Sequence, residues 1–390
     1  MNFPVYSADG HIDLPCMPAE IFVENASAKL RDRMPKVTEQ DDGKRHWVNA
    51  SGKSMGLYGG MGSAGREYVK GVINRADRMA ETGLYEDQAR GIMRTTDPEL
   101  RVQEQERDGV AGEVIYGILG AARRAGDAEV GAEMGRIYND FAAEFRKSAP
   151  HRFAMIGCLP AVSAEDAAAE LRRCADLGLS GGELPLVKDN LPFWKDDWEP
   201  LWVASEETGL PIQLHTVGSA AGAPPFTNPL DYHRFLATVL TEFQMAMATH
   251  LAAIIFGGAL ERHPGMRVVL GEAGVGWIPY ALERMDYEWE DQFQHLELKM
   301  KPSEYWRRQM FVTFQQDETG IANIDRIGVE TLLWGSDFPH PDGIWPDSQT
   351  INAKQLAPLT DDQRRMVLHD NAVRLYRLGS DVGEERQARA

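Results

Sequence analysis

The sequence predicts an α/β protein, a closed (β/α)8 TIM barrel, and three observations carry that expectation. Short apolar, β-branched runs alternate along the chain with segments of helical period, the pattern of a parallel sheet covered by helices. Eight such runs can be counted, which suits a barrel better than an open doubly wound sheet. Several of them end abruptly in Asp, His or Glu, as strands do when their carboxyl ends line a site.

In chain order, residues 3–12 (FPVYSADGHI) form a short first strand leading into Asp9-Gly10-His11, and Asp13-Leu14-Pro15 ends it. Asp9 and His11, two apart on extended backbone, point to one side. From 20 to 100 the texture changes to charged and glycine-rich stretches, such as TEQDDGKR at 38–45 and GLYGGMG at 56–62. Apolar residues there are too sparse for a separate core, so this segment is an insertion or lid between strands one and two. Its glycines lack phosphate-loop spacing. His46 and Trp47 ride on it, more framework than substrate contact.

The second strand is 111–119 (AGEVIYGIL), followed by a helix over 132–147. The third is 153–159 (FAMIGCL), with a helix over 163–177 that Ser163 caps and Gly178 ends. The fourth, 179–186 (LSGGELPL), offers Glu183; a helix at 200–208 leads to the fifth, 210–215 (LPIQLH), which ends in His215. A long helical tract covers 230–262. The sixth strand, 266–272 (MRVVLGE), ends in Glu272 and precedes a helix over 277–289. The seventh is 310–315 (MFVTFQ), a short helix spans 321–327, the eighth strand is 331–336, and a helix over 361–378 closes the count. One domain over 1–380, with the insertion at 20–100 and a polar tail at 381–390, accounts for the chain.

Composition bounds the function. With 390 residues, 43% of them hydrophobic, the chain can bury a large core. A formal charge of -18 argues against a general nucleic-acid or anionic-membrane surface. Cys16, Cys158 and Cys174 show no CxxC spacing, which fits a reducing cytoplasm. The opening residues do not read as a signal peptide, and no uninterrupted apolar segment reads as a membrane span.

The chemistry centres on Leu332–His340 (LLWGSDFPH), where a buried strand hands one acidic side chain, Asp337, to a cleft. A lone buried carboxylate is expensive and needs a positive partner. In a barrel of this order Asp9, His11, His215 and Asp337 fall at equivalent strand ends, with Glu272 at a further one. Two imidazoles and two carboxylates suit a divalent Zn²⁺, Mn²⁺ or Fe²⁺ ion. The plainer alternative is a buried pair of His215 and Asp337. Trp277, Trp334, Phe338 and Trp345 stand near the strand ends, as apolar wall or as packing. His340 is placed to touch substrate or a ligand; His250 reads as core, and His263 as a helix C-terminal cap.

These residues resemble the amidohydrolase superfamily, in its amidohydrolase-2 branch, which includes aminocarboxymuconate-semialdehyde decarboxylase, resorcylate-type decarboxylases and several lactone hydrolases. The resemblance rests on Asp9-x-His11, LPIQLH ending at His215, GGALERHP at 257–264, EAGVGW at 272–277, WGSDFPH at 334–340 and HDNAVRLY at 369–376. It implies a metal-dependent hydrolase type of barrel, a homodimer, and ligation of one divalent ion by Asp9, His11, His215 and Asp337. The opening is Asp-x-His where His-x-His is commoner, which gives weight to Mn²⁺ or Fe²⁺ beside Zn²⁺. Glu183 replaces the bridging lysine of two-metal branches and favours one ion, although Glu272 could recruit a second. Glu272 also stands where decarboxylases of the branch present His, which ranks hydrolysis first. On that reading a metal-activated water attacks an amide, ester, thioester or lactone, and Asp337 or Glu272 moves the proton. The second reading is non-oxidative decarboxylation of an aromatic or unsaturated acid, with Asp337 protonating the carbon. A barrel that binds a ligand without turnover is the third.

Overall fold

In the computed structural model, which describes residues 3–160, 162–186, 192–216 and 227–379, all eight expected strands form one parallel barrel sheet. They are β1 (Tyr6–His11), β5 (Gly112–Tyr116), β6 (Phe153–Cys158), β7 (Gly181–Glu183), β8 (Ile212–His215), β9 (Val268–Gly271), β10 (Met310–Phe314) and β11 (Leu332–Trp334), adjacent in that order. Closure comes from a parallel bridge between Gly10 and Phe338, where His11 N donates to Phe338 O at 2.7 Å and Asp337 N to Asp9 O at 2.8 Å. The register of β1 on β5 shifts between Ser7 and Gly10, so the last residues of β1 are re-aimed at the mouth.

The strands are buried along their length because both faces are covered. Tyr6, Ala8, Val114, Tyr116, Ala154, Ile156, Val269, Phe311 and Leu333 fill the barrel, with Tyr376 and Leu378 packed among them. Gln213 ties that filling together, accepting from Tyr116 Oη at 2.9 Å and donating to Tyr376 Oη at 3.1 Å. A larger core lies between strands and surrounding helices. Ser163 caps its helix as expected, accepting from Asp166 N.

The stretch after β1 contains a small antiparallel sheet that its charged texture hid: β2 (Lys36–Glu39), β3 (Arg45–Val48) and β4 (Ser54–Leu57). Trp47 is fully buried there, edge-on to Phe22 with centroids 5.5 Å apart, and joins the main core. This segment also crosses the barrel mouth. Arg75 donates to the carbonyls of Asp342 and Gly343, and Arg78 pairs with Asp347 at 2.8 and 3.0 Å.

Two expectations change. The helical tract over 230–262 is three helices, Pro229–Glu242, Met247–Phe256 and Ala259–Arg262, because turns at 243–246 and 257–258 interrupt it. Contrary to the sequence reading, the stretch Pro229–Phe256 could cross a membrane by length and composition alone, although the turn at 243–246 divides it. Its second half is a core helix, with Met247, Leu251, Ala253, Ile254 and Ile255 buried. The tail at 381–390 lies outside the described residues.

Candidate metal centre

The carboxyl ends of the strands converge on Asp9. Its Oδ2 is fully engaged, accepting from Thr313 Oγ1 at 2.8 Å and from Glu272 N at 3.1 Å. That leaves Oδ1 facing two imidazoles, 3.3 Å from His11 Nε2 and 3.3 Å from His215 Nε2. His215 Nδ1 donates to Thr216 O at 3.0 Å, so the Nε2 lone pair is the one turned inward. Asp337 completes the ring, its Oδ1 3.1 Å from His11 Nε2. Asp9, His11 and His215 each offer a ligand atom, and these lie within 4.8 Å of one another.

Backbone geometry at two of these positions is unusual. Asp337 and Glu272 have φ of 59° and 50°, a region costly for side chains with a Cβ and found where structure over-determines it. Both residues turn off a strand end at the step where their side chains must enter the mouth.

The unsatisfied atoms of the site fit a divalent cation. His11 Nε2 and both carboxylate oxygens of Asp337 are buried and have no hydrogen-bond partner, although they sit at ion-pair distance. Buried polar atoms are normally satisfied. Unsatisfied atoms of this kind suit a cation beside them, and two nitrogens with two carboxylates are a suitable set. The plainer pairing of His215 with Asp337 is not what forms, since His215 faces Asp9.

A second layer surrounds the donors. His340 stacks on His11 with ring centroids 4.0 Å apart, its Nδ1 3.1 Å from Asp337 Oδ1 and its Nε2 2.8 Å from Asp13 Oδ2. Burial opposes a charge on His340, but Asp337 and Asp13 outweigh it and push its pKa well up. Burial would also raise Asp337, yet His340 and His11 hold it below the ordinary carboxylate range. Glu272 goes the other way: burial, then the charges of Asp337 and Asp342, push it well up. Its Oε2 accepts from Thr216 Oγ1 at 3.1 Å. Glu183 is pushed up to about 7 by burial, and its Oε2 has no partner.

Thus Asp9, His11, His215, Asp337, Glu272 and His340 all meet at one mouth. Among the described residues the close donor groupings are Asp9, His11 and His215; His11, Asp13 and His340; and Asp337, His340 and Asp342. Asp13 was missed because it reads as a turn residue, and its role depends on a histidine 327 positions away. Phe338 and Trp345 pack at a tilt, ring centroids 4.6 Å apart, in a buried cluster with Met79 and Leu84, and Trp334 faces the outer core, so these three are packing. Trp277 donates to Ala273 O and packs on the same core. His46 is held by Ser54 and Asp42. His263 caps the helix Ala259–Arg262 as expected, its N donating to Ala259 O at 2.9 Å, and its ring bridges Glu199 at 2.8 Å and Glu206 at 3.1 Å on a neighbouring helix.

A family model described as amidohydrolase (type 2) matches residues 86–378. The chain belongs to the amidohydrolase family. This amidohydrolase is 28% identical over 269 residues to gamma-resorcylate decarboxylase of Rhizobium sp. (strain MTP-10005), covering 65% of the present chain and 78% of that one. Its fold matches 5-carboxyvanillate decarboxylase LigW from Sphingomonas paucimobilis with a TM-score of 0.65 at 23% identity, over 96% and 99% of the two chains. It also matches a dihydroxybenzoic acid decarboxylase from Polaromonas sp. JS666, solved with manganese and the inhibitor 2-nitroresorcinol. There the TM-score is 0.60 at 23% identity, over 78% and 96% of the two chains.

Proposed function

We propose that this amidohydrolase is a metal-dependent, non-oxidative decarboxylase of a hydroxylated aromatic acid. The observation that carries the reading is the similarity to gamma-resorcylate decarboxylase over most of that enzyme's length. Hydrolysis, ranked first from sequence, gives way because gamma-resorcylate decarboxylase, similar over most of its length, is a carboxy-lyase. The departure that had favoured hydrolysis, Glu272 in place of His, is compatible with proton donation.

Asp9, His11, His215 and Asp337 would hold one divalent ion, with manganese favoured by the two carboxylates among its ligands. When bound, the ion supplies the positive charge that draws the substrate carboxylate and its neighbouring oxygen into the mouth. The remaining work belongs to side chains. Loss of CO₂ leaves an electron pair on the ring carbon, and that carbon must gain a proton. Glu272 is the group placed to carry one, since burial and the neighbouring carboxylates shift it toward its protonated form. Thr216 Oγ1 lies 3.1 Å from its Oε2 and orients the carboxyl group. Asp337, proposed for this step from sequence, is held ionised by His340 and His11 and serves as ligand and orienting charge. His340, braced by Asp13, lies against Asp337 and His11 where it can donate to an oxygen of the substrate. The segment at 20–100 acts as a lid that keeps water from the mouth.

The test is incubation of the manganese-loaded protein with 2,6-dihydroxybenzoate and related hydroxybenzoates, measuring CO₂ and the phenol formed. Turnover of an ester, amide or lactone panel with no CO₂ from any acid would overturn the reading.

A further inference from the structure

Thr313 is the only polar side chain of β10, and it is fully buried. Phe311, two residues earlier, fills the barrel, so Thr313 points inward one layer nearer the mouth. Valine would suit the strand equally well, and a buried hydroxyl is costly unless it is hydrogen-bonded. The hydroxyl therefore has to be accounted for by its bonds.

It makes two, and each runs in one direction. Glu272 N donates to Thr313 Oγ1 at 2.6 Å, which leaves the hydroxyl proton for Asp9 Oδ2, 2.8 Å away. Glu272 N also reaches that carboxylate oxygen, at 3.1 Å, from a backbone held at φ 50°. A carboxylate oxygen has about two lone-pair directions, and both on Oδ2 are taken. Asp9 is left with Oδ1, the oxygen facing His11 Nε2 and His215 Nε2. Asp337 is the contrast, since neither of its oxygens has a hydrogen-bond partner. One hydroxyl on β10 thus ties the end of β1 to the turn after β9.

We propose that Thr313 is a positioning residue that restricts Asp9 to one ligating oxygen, and that this restriction sharpens selection of a compact divalent ion over a larger one. The inference rests on Asp9, His11, His215 and Asp337 being an ion's donors, and on no particular reaction. Calcium gathers about six to eight oxygens and takes carboxylates through one oxygen or both. With Oδ2 tied down, Asp9 has no second oxygen to give it. Manganese accepts imidazole nitrogen beside single carboxylate oxygens and loses nothing by the restriction.

The test measures manganese affinity by calorimetry. It also measures the calcium concentration that displaces half of the bound manganese, read from the electron paramagnetic resonance signal of the released ion. Thr313→Val keeps the branched shape and removes the hydroxyl. It should bind manganese about 10–100-fold more weakly, the usual result of losing a group that orients a ligand. The ratio of manganese to calcium affinity should fall at least about tenfold with it, and Thr313→Ser, which keeps the hydroxyl, should stay near the parent in both. Should the valine variant not fold, Thr313→Ala takes its place. A threonine that only supports the fold would weaken both ions alike, so an unchanged ratio overturns the proposal. So does parent-like manganese affinity without the hydroxyl, or a serine variant that behaves as valine does. These outcomes leave the donor assignment standing. A parent protein that binds no manganese overturns the assignment and this inference together.

Discussion

Arg101 and Glu113 form a two-pronged ion pair inside the barrel wall, Nε to Oε1 at 2.7 Å and Nη2 to Oε2 at 2.6 Å, with side chains 0% and 4% exposed. The third arm of the same guanidinium, Nη1, donates to His11 O at 2.7 Å, and its plane lies 4.8 Å from the Phe338 ring. One side chain therefore joins the backbone of His11 to the residue after Asp337. Glu113 Oε2 in turn sits where a side chain at Gly10 would go, 2.6 Å from an ideal Cβ. Arg101→Ala should cost about 3–5 kcal/mol, because it strands a buried carboxylate. Arg101→Met with Glu113→Leu should recover much of that stability by denaturant unfolding while metal affinity stays low. Recovery of both would show that the pair does not position His11.

Glu272→Gln removes the acid proton and keeps the shape. We expect CO₂ release to fall by about 10²–10⁴-fold, the usual range for loss of a positioned acid. Metal content should stay near the parent value, because Glu272 lies outside the donor set. A variant that keeps full turnover would pass the proton-donor role back to Asp337.

Removal of the ion should destabilise the fold. Asp9, Asp337 and the inward nitrogens of His11 and His215 are buried together, so without a cation like charges and orphaned donors share one cavity. An ion bound only by the folded state adds RT ln(1 + [M]/Kd), about 2.7 kcal/mol at a hundredfold excess over Kd. Dialysis against a chelator should lower the melting temperature, and manganese should restore it. A melting temperature indifferent to chelation would mean that these residues hold no ion.

Most of the barrel was legible in sequence because its signals are local. Runs such as LPIQLH and MRVVLGE announce both a buried strand and, in the last residue, the group it delivers. The polar framework was not legible, for a physical reason. Arg101, Asp108 and Asp13 carry no local signal of burial, and each is buried beside a partner that the fold brings to it. The sheet β2–β4 was hidden in the same way, since its core contact is Trp47 against Phe22, outside the sheet. Period and hydropathy report what a residue avoids; they do not report which distant side chain will satisfy it.

Asp108 gives a pH-dependent test away from the metal ligands. It is buried against Ser348, accepting from its N at 3.0 Å and its Oγ at 2.5 Å, and burial pushes its pKa up to about 7. The unfolded value is about 3.9. Between these two values the folded chain keeps a proton that the unfolded chain has released, so stability falls as pH rises and levels off above about 7. Asp108→Asn removes this ionisation and can still engage Ser348. The difference in melting temperature, variant minus parent, should grow in the variant's favour from pH 4 to pH 7 and then stay constant. A difference independent of pH would show that Asp108 is ionised in the folded protein.

Gly335 is the position where the eighth barrel strand and the first press together. An ideal Cβ there would lie 2.3 Å from Asp9 Cβ and 2.9 Å from Asp9 N, contacts that real Cβ atoms do not make. Asp9 cannot yield, because Thr313 and Glu272 N hold its Oδ2. The backbone of β11 cannot yield freely either, because Gly335 N donates to Phe314 O at 3.0 Å. Gly335→Ala must therefore separate β1 from β11 at the level of the ligands, pulling Asp337 away from Asp9 and His11. Overpacking of this kind typically costs about 1–3 kcal/mol, which a barrel of this size can survive. The variant should fold with a lowered melting temperature, bind manganese at least about tenfold more weakly, the equivalent of 1.4 kcal/mol, and lose CO₂ release in proportion. Parent-like metal affinity in a folded Gly335→Ala protein would mean that the two strand ends do not jointly set the geometry of the centre.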